Sequence, residues 1–374
     1  MDFSFTDEQE LLADSVRHFL TDHYALEQRR RIIASPSGSS AAVWQGFADL
    51  GLLGLIAPDG QGGLGGGPIE TLRVAGVMGE HLVVEPFLSS AIIATQALLD
   101  LGSPSQVQRL LPPMLSGERI AVLADAACTG DAARLAPVLA TRTPSGFRLS
   151  GRIEVVYHAP LADHLLVSAR TGEADVTNAL FVVDRATAGV RLVPYASVDA
   201  QAVADVELDL EVHETARLGG DATGPLERVR EAGRVALCAE TLGVLDRALA
   251  ITVEYTRTRQ QFGGPIARFQ VLQHRLVEML MRIEQARSLV FLAASRLGSA
   301  DAGARSAAVA AAKVLIDDAA RFVGEEAVQL HGGMGVADES PISHYFKRLV
   351  ATQIRFGSAA THLERYAETM DLSG

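Results

Sequence analysis

The chain has 374 residues, enough for two or three domains, which excludes a small scaffold held together by disulfides or metals. Its 33 Lys and Arg residues against 45 Asp and Glu residues give a net charge of −12, so nucleic acid is not an expected partner. Hydrophobic residues make up 48% and charged residues 21%, a balance typical of a chain that is globular throughout.

The sequence carries no export or membrane signal. Its N-terminus, MDFSFTDEQELL, is acidic and lacks the basic and apolar pattern of a secretory signal. No run of 18 uninterrupted apolar residues occurs, so we expect no membrane insertion. Cys128 and Cys238 are far apart and lack CxxC or histidine-rich neighbours, which indicates neither a metal site nor a disulfide. We therefore predict a cytoplasmic protein without a bound metal.

The first third of the chain has a helical pattern. Thr6 to Gln9 form a predicted capping box before apolar residues at helical spacing, which predicts a helix over about 7–22. Further helices are predicted over 41–51, 69–82, 86–100 and 104–116, separated by glycine and proline. These segments predict an N-terminal helical domain over 1–118.

The pattern then changes to short segments rich in Val and Leu, separated by Gly, Pro, Asp or Ser turns. They predict a central β-barrel-like domain over 119–224. From 225 the pattern returns to long helices, predicted over 226–257, 266–298, 301–330 and 340–370, which would form a C-terminal four-helix bundle over 225–374. The predicted fold class is therefore α+β.

The segment Gly60 to Gly65 formally fits the pattern G-x-G-x-x-G. A dinucleotide-binding fingerprint needs a preceding strand and a βαβ unit, whereas this segment joins two predicted helices. We interpret it as a loop between helices.

Two other segments carry more chemistry. The connection between the first two bundle helices reads Arg259-Gln-Gln-Phe262-Gly-Gly-Pro-Ile-Ala-Arg-Phe-Gln270. A guanidinium can pair with a phosphate or pyrophosphate, and amides and aromatic rings suit a base or flavin ring. Taken alone, the segment is equally typical of a solvated, arginine-rich helix end.

The second segment reads Gln329-Leu330-His331-Gly332-Gly333-Met-Gly335 and is followed by Glu339-Ser-Pro341. Paired glycines at a helix end allow the backbone to approach a ligand closely, whereas a C-cap needs only one glycine. Together, the two segments resemble the acyl-CoA dehydrogenase family, which has R-x-x-F-G-x-P-I-x-x-F-Q in one helix connection and Q-x-x-G-G-x-G with E-x-P in another. The resemblance covers the whole chain.

This resemblance implies an FAD enzyme that oxidises an acyl-CoA to the trans-2-enoyl-CoA and passes electrons to an electron-transferring flavoprotein. It also implies a tetramer whose FAD sites are shared between subunits. The residues that would contact FAD of a neighbouring subunit are Arg259, Phe262 and Gln270. Those that fall at its adenosine diphosphate end are Gln329, Leu330, His331, Gly332 and Gly333, and Ser358 is a further predicted FAD contact.

The sequence departs from the family at the catalytic base. The usual glutamate position falls on Phe356, in Arg355-Phe356-Gly357-Ser358, and the alternative position on the first bundle helix falls on Gly233. Neither residue accepts a proton. Glu240 lies seven residues from Gly233, two helical turns or roughly 10.5 Å along the axis. It is the remaining candidate base on that face, with a structural or interface hydrogen bond as the alternative.

A second departure lies in the β-domain, where the family's flavin-facing Trp-x-Thr becomes Val155-Val156-Tyr157. With these departures the chain resembles the small subunit of pimeloyl-CoA dehydrogenase and, more loosely, small subunits of steroid side-chain enzymes. That resemblance implies an α2β2 assembly in which a homologous large subunit supplies the base.

Three interpretations stay open at this point. The chain is a dehydrogenase subunit active with a large partner, a self-sufficient homotetramer using Glu240, or a non-catalytic scaffold. The substrate is open too, because dicarboxylyl, branched and steroid-linked CoA esters all suit the sequence, as does an oxidase reaction with oxygen.

Overall fold

A computed structural model describes residues 5–130, 137–172 and 177–370 of the chain. Its first helix, α1 (Asp7–His23), begins at the predicted capping box. Thr6 Oγ accepts a hydrogen bond from the Gln9 amide at 3.3 Å, and Gln9 Oε1 accepts one from the Thr6 amide at 2.9 Å. The prediction for this helix start is confirmed.

Helices continue through the first third of the chain. They are α2 (Leu26–Ile33), α3 (Ala41–Asp49), α4 (Pro68–Glu80), α5 (Thr95–Leu101) and α6 (Pro104–Leu115). A π-helix, Phe87–Ala94, leads directly into α5. The glycine-rich segment 60–65 follows α3, and no strand precedes it in the part of the chain that the structure describes. It is therefore a loop between helices, as expected.

Eight strands in the described residues form one sheet. They are β1 (Ala121–Ala124), β2 (Leu139–Thr143), β3 (Gly146–Tyr157), β4 (His164–Thr171), β5 (Thr177–Asp184), β6 (Val190–Ala196), β7 (Ala202–His213) and β8 (Arg217–Leu218). The strand order is β6-β7-β3-β2-β4-β5-β8, and β1 pairs in parallel with β4. Strands β3 and β7 are antiparallel, with a register shift between Ile153 and Val156.

The last part of the chain is helical again. It contains α7 (Thr223–Thr258), the short strands β9 (Gln260–Gln261) and β10 (Gly264–Pro265), α8 (Gln270–Arg296), α9 (Ala302–His331), α10 (Pro341–Thr352) and α11 (Ala359–Glu368). Residues 340–370, predicted as one helix, form two helices. Phe356 and Gly357 have φ values of +61° and +97°, a left-handed conformation that no helix can continue through.

The chain divides into two units, each built from separate stretches of sequence. The bundle unit comprises the described residues of 1–29, 72–83 and 234–374, and the sheet unit comprises those of 30–71 and 84–233. The helix–sheet–helix order of the elements confirms the predicted α+β fold class. No helix in the described residues has both the length and the apolar character needed to cross a membrane.

In the bundle unit, α4 and α7 touch through their backbones. A Cβ added to Gly79 would lie 1.9 Å from the Glu240 carbonyl oxygen, and one added to Gly243 would lie 1.8 Å from that of Gly76. Any side chain at Gly79 or Gly243 would force the helices apart, so these glycines permit the crossing.

In the sheet unit, buried apolar side chains from several strands form the core, including Val122, Leu149, Leu165, Phe181 and Val206. The end of β3 is fixed by His158, which is buried and has a φ of +62°. Its Nε2 donates to the Val84 carbonyl at 3.1 Å, so its Nδ1 accepts from the Ser89 hydroxyl at 2.8 Å. These bonds join the end of β3 to the π-helix.

Candidate functional site

The first predicted site segment begins where α7 ends. Arg259 follows the last helical residue, and its side chain is exposed. Phe262 lies in the β9–β10 turn with a φ of +56° and is 80% exposed, its ring 5.8 Å from that of Phe269. Gln270 is the first residue of α8 and is exposed. The segment therefore presents a guanidinium, an aromatic ring and an amide on the surface of the bundle unit.

The second predicted segment lies at the end of α9. His331 is buried, and its Nδ1 donates to the Ala327 carbonyl at 2.8 Å. Burial lowers the pKa of His331, so the ring is neutral at pH 7. Gln329 is exposed on the same last turn, whereas Leu330 is buried.

The structure brings these two segments together through Tyr255. Its ring stacks on that of His331 with centroids 4.2 Å apart, and its hydroxyl donates to the His331 carbonyl at 3.3 Å. Tyr255 lies one turn before Arg259, so the end of α7 is held against the end of α9. The residues from 259 to 270 and from 329 to 333 thus belong to one surface region, which we call the paired helix ends.

The glycines after α9 are open to approach. Gly332 has a φ of +59°, and a Cβ built at Gly332 or Gly333 would meet nothing within 4 Å. Packing therefore leaves space for a side chain at both positions, while the positive φ of Gly332 by itself favours glycine there. Exposed backbone of this kind suits close contact with a ligand.

The residue at the usual base position has an apolar environment. Phe356 is 3% exposed, and its carbonyl accepts a hydrogen bond from His362 Nε2 at 2.8 Å. Ser358 is the N-cap of α11, where its hydroxyl accepts from the Thr361 amide at 3.4 Å. Gly233, the alternative base position, is buried on α7.

Glu240 is buried, 6% exposed, and accepts a hydrogen bond from Arg348 Nη1. Arg348 Nη2 donates to the Val83 carbonyl at 3.0 Å. Within the described residues, neither Glu240 nor Ser358 shares a hydrogen bond with the paired helix ends. The roles of Glu240 as a base and of Ser358 as an FAD contact stay predictions.

Comparison with known proteins identifies the family. Two family models match the chain: "Acyl-CoA dehydrogenase, N-terminal domain" over residues 6–118 and "Acyl-CoA dehydrogenase, C-terminal domain" over residues 228–370. Acyl-CoA dehydrogenase FadE27 from Mycobacterium tuberculosis is 31% identical over 373 residues, covering 98% of this chain and 97% of that protein. The chain belongs to the acyl-CoA dehydrogenase family.

Two similar solved structures agree with this assignment. A chain of the ChsE4–ChsE5 complex from Mycobacterium tuberculosis superimposes with a TM-score of 0.91 at 31% identity, covering 98% of each chain. A variant of the Tcur3481–Tcur3483 steroid ACAD gives a TM-score of 0.88 at 28% identity, covering 97% of each chain. Members of this family are oxidoreductases that act on CH–CH bonds and depend on FAD.

The paired helix ends fit the cofactor of this acyl-CoA dehydrogenase. An exposed guanidinium at Arg259 suits a pyrophosphate, exposed amides at Gln270 and Gln329 suit polar ring edges, and open glycine backbone at 332 and 333 allows close approach. All of these groups are exposed in this chain.

Sequence reasoning missed a group of buried polar residues in the bundle unit. Lys313 Nζ lies 2.6 Å from both carboxylate oxygens of Asp317 and donates to the Thr352 carbonyl at 3.2 Å. Burial raises the pKa of Asp317 to about 7, with Lys313 opposing the shift, and burial raises that of Cys238 to about 12. The four-residue spacing of Lys313 and Asp317 was the available signal, but it is also typical of an exposed helix pair.

The structure also shows the end of β3, where Val155, Val156 and Tyr157 stand at the position of the predicted flavin-facing motif. Val155 has a φ of +56° at the register shift with β7, and its amide donates to Asp205 Oδ1 at 2.9 Å. Tyr157, at the last position of β3, is buried and precedes the His158 hydrogen bonds. The strand end is therefore shaped by contacts of the chain's own polar residues.

Proposed function

We propose that this chain is a subunit of an FAD-dependent acyl-CoA dehydrogenase that forms a 2-enoyl-CoA, and that a homologous large subunit supplies the base. The observation that carries the proposal is Phe356, a buried aromatic residue at the usual base position, together with Gly233 at the alternative position. Proton removal from the α-carbon needs a carboxylate or a comparable base. Neither of these positions offers one.

The paired helix ends support the cofactor part of the proposal. We assign FAD contacts to Arg259, Phe262 and Gln270 in one segment and to the residues from Gln329 to Gly333 in the other. When bound, FAD would accept the hydride from the β-carbon of the thioester. This chain's contribution is to bind and orient the cofactor. Arg259 pairs with negative charge, and His331 holds the turn: its ring donates to the Ala327 carbonyl and stacks on Tyr255, and its backbone carbonyl accepts from the Tyr255 hydroxyl.

Exposed apolar residues support a partner subunit. Three of them lie on one face of α8, at positions i, i+3 and i+4: Val277, Leu280 and Met281, which are 53%, 46% and 55% exposed. We call this set the α8 apolar face. Clustered exposed apolar side chains mark interaction surfaces in proteins. The solved relative at 31% identity is part of a two-protein complex, so a homologous large subunit is the partner that we propose for this face.

The substrate that we propose is a CoA thioester of a steroid side chain, because one of the similar solved structures is named a steroid ACAD. A dicarboxylyl-CoA is the alternative suggested by the sequence. Electrons would pass to an electron-transferring flavoprotein. We retain the division into domains at 1–118, 119–224 and 225–374 as part of the proposal.

A second candidate function is a self-sufficient homotetramer that uses Glu240. The buried position of Glu240 favours it, since a carboxylate in an apolar environment can act as a base. The hydrogen bond from Arg348 argues against it, because a buried guanidinium already occupies the Glu240 carboxylate. The third candidate, a scaffold without FAD, would leave the exposed groups of the paired helix ends without a ligand.

The deciding experiment compares the purified chain with the chain co-expressed with a homologous large subunit. Absorbance spectra report bound flavin, and bleaching on addition of acyl-CoA reports turnover. Flavin and turnover that appear only with the partner support the proposal. Turnover by the chain alone that is lost in Glu240→Gln would establish the homotetramer, and a colourless complex would establish the scaffold.

A further inference from the structure

The end of β3 contains two residues in a backbone conformation that side chains rarely adopt. Val155 has a φ of +56° and His158 has a φ of +62°. Valine is branched at Cβ, so the left-handed region is especially unfavourable for it. Residues in this conformation persist only where their surroundings hold them, and they concentrate at functional sites. Tyr157 lies between these two residues.

The conformation of Val155 belongs to a β-bulge. The register of β3 against β7 shifts between Ile153 and Val156. Two residues of β3, Glu154 and Val155, therefore lie opposite one residue of β7, Asp205. The extra residue of a bulge is left out of the regular ladder, so its amide needs another acceptor.

Asp205 supplies that acceptor. Its Oδ1 accepts from the Val155 amide at 2.9 Å and from the Tyr195 hydroxyl at 3.0 Å. Its Oδ2 accepts from Arg152 Nη2. Burial alone would raise the pKa of Asp205, but these three hydrogen bonds hold it below its ordinary value, so the group is ionised at pH 7. A charged acceptor forms a stronger hydrogen bond than a neutral one, and this bond compensates the strain at Val155.

The bulge decides which face of the sheet Tyr157 occupies. Side chains alternate along a regular strand, so without the extra residue Tyr157 would share the face of Ile153. With the extra residue, it is Val156 that joins Ile153 in the core of the sheet unit. Tyr157 therefore lies on the opposite face, where its partner on β7 is Val203.

We propose that Asp205 is a positioning residue for the flavin-facing end of β3. It holds the bulge and thereby turns Tyr157 to the face of the sheet that lies away from the core. The inference rests on the proposed function, because the family resemblance places the flavin contact of the β-domain at residues 155–157. It goes beyond that function, since Asp205 acts through the backbone of Val155 and not by contact with the cofactor.

A neighbouring aspartate provides a matched control. Asp209 lies four residues further along β7, on the same face as Asp205. Its Oδ1 accepts from Arg148 Nε at 3.0 Å and from Arg148 Nη2 at 2.7 Å. This ion pair is exposed and joins two strands where their register is regular. The two aspartates differ in the feature that matters here, which is the bulge.

The first measurement is hydrogen exchange of the full-length chain, followed by mass spectrometry of peptides that cover residues 152–158. Asp205→Ala removes all three hydrogen bonds, so exchange in this segment should be at least about tenfold faster than in the wild type. Adding Val155→Gly should restore protection of the neighbouring amides, because glycine adopts a positive φ without strain. Asp209→Ala should leave exchange in this segment unchanged.

The second measurement is the visible absorbance spectrum of the chain co-expressed with the homologous large subunit. Asp205→Ala should shift the flavin bands and weaken FAD binding by at least about tenfold, and adding Val155→Gly should reverse both changes. Asp205→Asn keeps one oxygen for the Val155 amide but loses the charge. It takes the place of Asp205→Ala if that variant does not fold, and it should show the same changes at smaller size.

The outcomes separate this inference from the proposed function. Unchanged exchange in Asp205→Ala, or equal changes in Asp209→Ala, would overturn the inference. Faster exchange with unchanged flavin bands would show a purely structural role for Asp205 and would overturn it too. A wild-type complex without flavin would contradict the proposed function and, with it, the role of Asp205 toward flavin. The exchange measurement distinguishes these failures because it needs no flavin.

Discussion

Glu240 forms a buried ion pair with Arg348, so it has a structural role in addition to its predicted role as a base. The carboxylate is 6% exposed and the guanidinium 2% exposed, so both charges have lost most of their hydration. Burial of an ion costs several kcal/mol unless a partner compensates it. The pair therefore ties α7 to α10 within the bundle unit whether or not Glu240 ever moves a proton.

We predict that Glu240→Gln lowers the free energy of unfolding by about 3 kcal/mol, because it removes the carboxylate that faces the buried Arg348 charge. Urea denaturation measures the change. Glu364→Gln, at an exposed position of α11, is the control and should change stability by less than about 0.5 kcal/mol. An unchanged stability of Glu240→Gln would show that the pair contributes nothing to the fold.

His362 provides a prediction about pH. Burial, together with the nearby charges of Arg234 and Lys313, lowers the pKa of His362 to about 3. The unfolded chain binds a proton at this histidine below its ordinary pKa of about 6.5, whereas the folded chain does not, so stability falls as the pH falls through 6.5. We expect His362 alone to remove about 2 kcal/mol between pH 7 and pH 5.

The measurement is the difference between wild type and His362→Gln in urea denaturation at both pH values. The variant should lose about 2 kcal/mol less than the wild type over this interval. Glutamine retains a donor for the Phe356 carbonyl, so the comparison isolates the titration. Equal losses in the two proteins would mean that His362 is protonated in the folded state.

The sequence shows which residues make up the candidate site, but it does not show which of them are in contact. Arg259, Gly332 and Gly333 stand in short motifs that the sequence shows directly. Tyr255 and His331 are 76 positions apart, so no local pattern could place their rings 4.2 Å from one another. The sequence also gave no indication that Lys313 is buried, because a lysine and an aspartate four residues apart usually lie on a solvated helix face.

At the scale of elements, the crossing of α4 and α7 depends on glycine. We predict that Gly243→Ala destabilises the protein by about 3 kcal/mol or more, because the added Cβ would lie 1.8 Å from the Gly76 carbonyl oxygen. Thermal denaturation with circular dichroism measures the effect.

Gly224→Ala in the same helix is the matched control. A Cβ there meets nothing within 4 Å, and alanine favours the helix over glycine, so stability should be unchanged or slightly higher. Comparable losses in both variants would place the cause in α7 itself instead of in its contact with α4.

The elements that the sequence predicted well are those with a regular apolar period or a cap. The capping box at Thr6 and the long helices α7, α8 and α9 follow this rule. Helix α2 was missed because half of its eight residues are charged. One of them, Arg29, is nevertheless buried and donates to the Leu82 carbonyl at 2.8 Å. The interruption between α10 and α11 at Phe356 was missed because phenylalanine rarely adopts a positive φ, so the sequence gives no signal of one there.

At the scale of the whole molecule, the α8 apolar face predicts assembly. Met281→Glu should weaken association with the homologous large subunit by at least about tenfold, because the added charge would be buried without a partner in the complex. Light scattering after size-exclusion chromatography of the co-expressed proteins measures the assembly. The ratio of flavin to protein should fall along with it.

Leu11→Glu on α1 is the control, since Leu11 is 67% exposed and lies outside the α8 apolar face. It should leave assembly and flavin content unchanged. Full assembly of Met281→Glu would exclude this face as the contact surface.

The contacts of α4 also set an order for biosynthesis. Glu80 and Gly79 leave the ribosome early, but Gly243 is made 164 residues after Gly79, and Tyr345, whose hydroxyl donates to the Glu80 carbonyl at 2.6 Å, is made near the end. At typical elongation rates, the first of these delays lasts on the order of ten seconds or more. The sheet unit ends at residue 233, so its chain is complete first. The backbone contact between α4 and α7 can therefore form only after the chain of the sheet unit has been made.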